Sequence, residues 1–143
     1  MAAASSNVFE AFSESTALTE RLTSASIKGH QGNLSDPSTV MATAKHFVGD
    51  GATDFGVEGG NTSLSIDEIN ERLLGPYRAA VKENIGAVMA SFNKVSGISM
   101  HAHKVLITDT LKVGMKFDGI VVSDWKGYSR FGKNDIVNAG IDI

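Results

Sequence analysis

The chain has no cysteine, one tryptophan, and no apolar run near the ~20 residues that a membrane-spanning helix needs. The first absence excludes disulfides, cysteine-ligated zinc and thiol nucleophiles. It leaves the compartment open, because exported proteins also do without cysteine. An excess of positive charge is missing too. Thirteen basic and 16 acidic residues give a net charge of -3 with no clustered basic stripe, which argues against nucleic acid as a partner. The opening Met-Ala-Ala-Ala-Ser-Ser lacks the basic and apolar regions of a signal peptide, and nothing in the composition calls for a membrane. Fixed-period repeats and low-complexity segments are absent as well. What is present is 143 residues at 42% hydrophobic content, enough for one globular core, so one domain or a part of one is expected.

The most informative segment is Gly119-Ile120-Val121-Val122-Ser123-Asp124-Trp125, a short β-branched run that ends in a carboxylate followed by the lone indole. An acid at the C-terminal end of a buried parallel strand points to where α/β folds assemble their sites, and an indole beside it offers a flat apolar wall. The plain alternative for Asp124 is a helix N-cap or a solvated turn. Two upstream segments share the pattern. Ala42 to Val48 reads as a strand carrying Lys45 and His46, followed by a glycine-rich loop from Gly49 to Gly60, and Ala87 to Phe92 reads as a buried strand ending at Asn93.

Helices fill the intervals. Leu18, Leu22, Ala25 and Ile27 mark an amphipathic helix stopped between Gly29 and Gly32. Ser65-Ile66-Asp67-Glu68 has the spacing of a capping box, so a helix starts near Ile66 and continues through Ile69, Leu73, Tyr77 and Val81, kinked or divided at Gly75-Pro76. Asn93 to Met100 reads as a polar exit loop, and a third helix runs through Val105, Leu106, Leu111 and Val113 to Gly114. Strand alternating with helix predicts parallel strands and right-handed crossovers, which place Lys45, His46, Asn93, Asp124 and Trp125 on one edge. The fold class is α/β, a partial TIM-type (β/α) barrel of about three to four βα units, because a closed barrel takes ~250 residues. The whole of 1–143 is expected to be an incomplete catalytic barrel domain, with 1–40 as a lead-in helix and loop and 41–143 as the motif-bearing units.

Lys45-His46-Phe47-Val48-Gly49-Asp50-Gly51, Gly60-Asn61-Thr62, Met89-Ala90-Ser91-Phe92-Asn93, Met100-His101-Ala102-His103, Leu106-Ile107-Thr108-Asp109 and Val121-Val122-Ser123-Asp124-Trp125 together resemble glycoside hydrolase family 3 in order and spacing. The resemblance runs from about Phe9 to the C-terminus and is closest to the β-glucosidase and exo-β-glucanase branch. It implies retaining hydrolysis at the nonreducing end of a β-glucoside or β-glucan oligosaccharide, with Asp124 as nucleophile. It also implies Lys45 and His46 as ligands to sugar hydroxyls, Trp125 as an aromatic platform, Arg130 as a further sugar contact, and neither cofactor nor metal. In such chemistry one carboxylate attacks the anomeric carbon and a second protonates the leaving oxygen, ~5 to 5.5 Å away. Side chains of adjacent strand residues alternate faces, so aiming both Lys45 and His46 inward requires a twist or bulge.

Departures from the family pattern are also visible. Ser6-Asn7-Val8-Phe9-Glu10-Ala11-Phe12 puts Asn7 where relatives carry a sugar-binding arginine, Glu58 falls one place from an acidic ligand, and Val95 replaces a common tryptophan. The acid/base glutamate of the family belongs to a second domain outside this sequence, so weak independent activity is expected. A non-catalytic carbohydrate-binding fragment, or a half-barrel whose sheet edges pair with another copy or a complementing fragment, remains the alternative. The family resemblance suggests a secreted or periplasmic protein. Bland readings stand beside these: a core histidine for His46, a snorkelling Lys45, and a structural His101-x-His103 in place of a metal pair. The Gly49-Asp50-Gly51-Ala52-Thr53-Asp54 stretch is a poor dinucleotide loop, since its acids would repel a pyrophosphate. Asn33-Leu34-Ser35 and Asn61-Thr62-Ser63 fit the glycosylation pattern.

Overall fold

A computed structural model describes residues 11–143, so Asn7 lies outside the described residues. Helix α1, Thr16–Gln31, starts at Ser15, whose hydroxyl accepts from the Leu18 amide at 3.4 Å, and stops at Gly32. Its apolar pattern is used differently from the expectation. Ile27 is buried, whereas Leu18 and Leu22 are exposed. The reason is rotation about the helix axis: α1 meets α3 (Gly75–Lys82) through Thr16 and Glu20, and a Cβ at Gly75 would stand 3.0 Å from Thr16 Cγ2.

The end of α1 is tied to the sheet by one buried amide. Gln31 Oε1 accepts from Ala42 N at 3.1 Å and Gly86 N at 3.0 Å, while its Nε2 donates to the Asn84 carbonyl at 3.0 Å. These amides precede strands β1, Thr43–Phe47, and β3, Ala87–Ala90, so Gln31 holds both strand starts against the helix. With β6, Ile120–Val122, they form a parallel sheet in the order β1-β3-β6, as the alternation of strand and helix predicts. The main-chain contacts of β6 continue into the last residues, where Asp142 N donates to Val121 O and Ser123 N donates to Ile143 O.

The register of β1 shifts at the two adjacent residues whose side chains were expected to share one face, Lys45 and His46. Ala44 pairs with Val88 and Phe47 with Ala90, so β1 advances three residues while β3 advances two. The extra residue lies within Lys45-His46. The peptide bonds Lys45–His46 and Phe47–Val48 are cis.

Helix α2, Ile66–Arg72, carries the complete capping box, with Glu68 N donating to Ser65 Oγ at 3.2 Å and Ser65 N to Glu68 Oε2 at 2.9 Å. The helix is divided at Leu73-Leu74, and α3 opens with Gly75-Pro76, the proline in the first turn where it displaces no hydrogen bond. The third predicted helix is a wide-turn π-helix, Val105–Gly114, which buries Leu106, Ile107 and Leu111. Two further helices, α4 at Gly127–Phe131 and α5 at Lys133–Ala139, follow β6. The stretch expected as a plain exit loop is a hairpin. Strands β4, Lys94–Val95, and β5, Ile98–Ser99, are joined by Ser96 and Gly97, both with positive φ, and β4 pairs in parallel with β2, Asn61–Thr62. The core lies around Phe47, Val88, Leu106, Leu111, Val121 and Ile136, with Tyr77 edge-on to Phe47 at 4.9 Å.

Candidate active site

The strand ends converge on Asp124. Its backbone N–H donates to His101 Nε2 at 3.0 Å, and its carbonyl accepts from Gly127 N at 2.9 Å, closing a tight turn. Its carboxylate is fixed on one side only. Oδ1 accepts from the Trp125 amide at 2.6 Å, whereas Oδ2 faces His46 Nε2 at 3.7 Å, too far for a hydrogen bond. The side chains of His46 and Asp124 are 19% and 17% exposed, so the pair is half-sheltered yet reachable. Asp124 therefore is not a helix cap: the residue before α4 is Lys126, and no side chain caps that helix.

His101 is fully buried beneath this turn. Its ring stacks on Phe131 at 4.8 Å and on Phe92 at 5.6 Å, and the Arg130 guanidinium lies 4.8 Å above Phe92 and 5.5 Å above Phe131. Burial pushes the His101 imidazole below its ordinary pKa; the Ser91 carbonyl and the Asp124 carboxylate oppose this, and Arg130 adds to it. A neutral ring that accepts at Nε2 carries its proton on Nδ1. Nδ1 itself is buried and falls short of full hydrogen-bond geometry with any described partner. Approach of the turn to the ring requires Gly127, where a Cβ would sit 2.8 Å from His101 Nε2 and 3.0 Å from Ser123 Cβ.

Asn93, expected at the mouth, is instead internal. It is fully buried, and its Nδ2 lies 2.9 Å from Thr62 Oγ1 and 3.2 Å from both the Val48 and Lys94 carbonyls. Thr62 passes the bond on to the Gly49 carbonyl at 2.9 Å, so Asn93 and Thr62 lock the exit of β1 to the small sheet. Gly49 has φ 99°, and a Cβ there would press to 2.9 Å from Asn93 Nδ2. Further along, Asp54 accepts from Ser63 Oγ at 2.6 Å and Asn61 Nδ2 at 3.2 Å, which holds its carboxyl below the usual range. Asn61 Oδ1 accepts from Gly97 N at 2.8 Å, so both ends of that amide are engaged within the fold.

His103 accepts from Leu106 N at 3.4 Å at the start of the π-helix, and burial lowers its pKa as well. With His101 under the Asp124 turn, the two histidines serve different elements. Among the described residues no three metal-ligating side chains cluster. A cleft of about 590 Å³ lies between α1 and β1, bordered by Phe12, Ile27, Met41, Lys45 and Tyr77; Asp124, His46 and Trp125 do not line it.

Residues 2–143 match the model of the glycosyl hydrolase family 3 N-terminal domain. The chain belongs to glycosyl hydrolase family 3. The match reaches further toward the N-terminus than the motifs alone extend. Among curated family 3 relatives, the chain is 38% identical over 121 residues to a β-xylosidase of Formosa agariphila, covering 82% of this chain and 17% of that protein. It is 37% identical over 138 residues to a β-glucosidase of Rhizobium radiobacter, covering 94% of this chain and 16% of that protein. The solved exo-1,3/1,4-β-glucanase of a Pseudoalteromonas species superposes with a TM-score of 0.93 at 34% identity, over 100% of this chain and 20% of that one. The three parallel strands are thus part of a (β/α) barrel, and the chain spans under a fifth of the length of these two curated relatives.

Within this family 3 barrel fragment, the sequence-marked residues are placed unequally. His46 and Asp124 meet. Trp125 follows directly and is 78% exposed, with Lys126 Nζ 5.8 Å from its ring. Arg130 sits on the Phe92 and Phe131 faces, and a Cβ at Gly59 would come within 3.9 Å of its Nη2, so the loop from β1 returns beside it. Lys45 is exposed at the edge of the α1–β1 cleft. Glu58 is exposed, and Val95 is buried in β4, where a tryptophan would not fit without displacing the core. The contact of His101 with Asp124 was hidden from sequence reasoning, because the partners are 23 residues apart and nothing local pairs them.

Proposed function

We propose that this family 3 chain carries the nucleophilic side of a retaining β-glycosidase site acting at the nonreducing end of β-glucosides or β-glucan oligosaccharides. The observation that carries it is the unequal carboxylate of Asp124, with Oδ1 held by the Trp125 amide and Oδ2 unbonded beside His46. In this reading Oδ2 attacks the anomeric carbon, the bond to the aglycone oxygen breaks with its electron pair leaving on that oxygen, and a glycosyl ester forms on Asp124. A second carboxylic acid, outside the residues assigned here, protonates the leaving oxygen; water then hydrolyses the ester. His46, Lys45 and Arg130 donate to sugar hydroxyls, bonds that raise the rate only where they tighten as the ring flattens. Trp125 offers its exposed indole face to the sugar beyond the cleaved bond.

An activated aryl β-glucoside isolates the nucleophilic step, because a phenolate leaves with little proton donation. Wild type is expected to cleave it and Asp124→Asn to fall by roughly a thousandfold or more. A fluorinated glucoside that slows deglycosylation should mark Asp124 by mass mapping of the peptide. Equal rates for the two proteins, or a label on another residue, would remove Asp124 from the mechanism. The β-xylosidase relative favours a second reading in which the sugar is a β-xyloside. Relative kcat/KM on aryl β-glucoside and aryl β-xyloside distinguishes them.

A further inference from the structure

We propose that His101 is a positioning residue for the nucleophile: its neutral imidazole, wedged between Phe92 and Phe131, accepts the Asp124 backbone N–H and sets where the carboxylate stands. The proposal rests on Asp124 being the nucleophile. Four contacts define the Ser123–Gly127 turn. The Asp124 amide is held from beneath by His101 Nε2 at 3.0 Å, its carbonyl by Gly127 N at 2.9 Å, its Oδ1 by Trp125 N at 2.6 Å, and Gly127 lies against the ring with no room for a Cβ. Two of these are local to the turn. The other two are made with His101, which belongs to a different element, the Met100–Ala102 turn.

The ring can accept this bond only when Nε2 is unprotonated, since an imidazolium donates from both nitrogens. Its surroundings favour that state. The ring is fully buried and stacked on two phenyl faces, and the Arg130 guanidinium covers both phenyl rings. Arg130 and Asp124 are the charged groups that act on it, with opposite effects on its protonation. Without the acceptor, a half-buried N–H is left unpaired and the turn can swing, moving Oδ2 from its place beside His46. A shift of ~1 Å in a reacting atom suffices to cost about a hundredfold in rate.

The test uses the whole chain and two variants. His101→Phe keeps an aromatic ring in the stack and removes the acceptor. His101→Gln places a carbonyl oxygen the same number of bonds from Cβ as Nε2 and restores it. In wild type, the ring nitrogen shifts of His101 between pH 6 and 7 should show a bare Nε2 and a protonated Nδ1. Exchange of the Asp124 amide should speed up about tenfold or more in His101→Phe and return to within about threefold of wild type in His101→Gln. On the aryl glucoside, kcat should fall about tenfold or more in His101→Phe with KM moving less than about threefold, and recover in His101→Gln. A protonated Nε2 in wild type, or an Asp124 amide indifferent to His101→Phe, overturns the proposal. Should His101→Phe fail to fold, the wild-type tautomer and the His101→Gln exchange rate still decide. Failure of the nucleophile reading shows separately, as cleavage indifferent to Asp124→Asn.

Discussion

At the scale of single residues, the informative contrast is between polar groups consumed by the fold and those left over. Asn93 and Thr62 are consumed, their donors closed on main-chain carbonyls and on one another. His46 differs, because its Nε2 stands 3.7 Å from Asp124 Oδ2, beyond hydrogen-bond distance. A donor held this loosely can turn to a substrate hydroxyl. His46→Ala should therefore lower kcat/KM on the aryl β-glucoside by about ten- to a hundredfold, the equivalent of ~1 to 3 kcal/mol. Steady-state kinetics checks this, and a change under twofold would assign His46 to packing. The acid at the end of an interior β-branched strand was legible because the period and the sudden polar residue share one short segment. Asn93 had the same sequence signature and another fate, since its partners at Val48 and Thr62 lie 45 and 31 residues away.

Among elements, local chemistry was legible and distant pairing was not. The capping box of Ser65 and Glu68, the division just before Gly75-Pro76 and the three parallel strands each announce themselves within a few residues. Strands β2, β4 and β5 do not, because two residues carry no period, and the short helices α4 and α5 lack side-chain caps. Gln31 belongs to this scale. Its amide joins one helix to two strand starts, and a methylene-rich replacement of similar length would leave the Ala42 and Gly86 amides and the Asn84 carbonyl without their partner. Gln31→Leu is expected to destabilise the chain by about 2 to 4 kcal/mol. Urea unfolding measures it, and a midpoint equal to wild type would mean that water replaces the side chain at no cost.

For the whole molecule, the two buried imidazoles give stability a pH dependence of definite sign. Burial lowers the pKa of both His101 and His103 in the folded chain, whereas unfolded histidine titrates near ~6.5. Below that value the unfolded chain binds protons that the native state resists, so this contribution is complete above about pH 6.5 and declines as pH falls toward the lower folded values. Carboxylates enter later. Asp54 and Glu68 are lowered from the ordinary carboxylate range by hydrogen bonds from Ser63 and Ser65, and their contribution is lost only on further acidification below about pH 4. Urea midpoints should therefore drop between pH 7.5 and 5.5, and drop less in His101→Phe; a flat profile over that interval would contradict the buried neutral rings.

The brace that Asp54 makes with Ser63 and Asn61, and Asn61 with Gly97, closes residues 55–60 into a loop and leaves its crest outside. Phe55, 99% exposed, and Val57, 55% exposed, hang beyond that clasp. Mutation can redraw this crest, swapping its aromatic or lengthening it by a residue, while the barrel strands and the Asp124 turn stay as they are. Natural variation within the lineage should accordingly gather there, as an adjustable fringe over an unchanging floor.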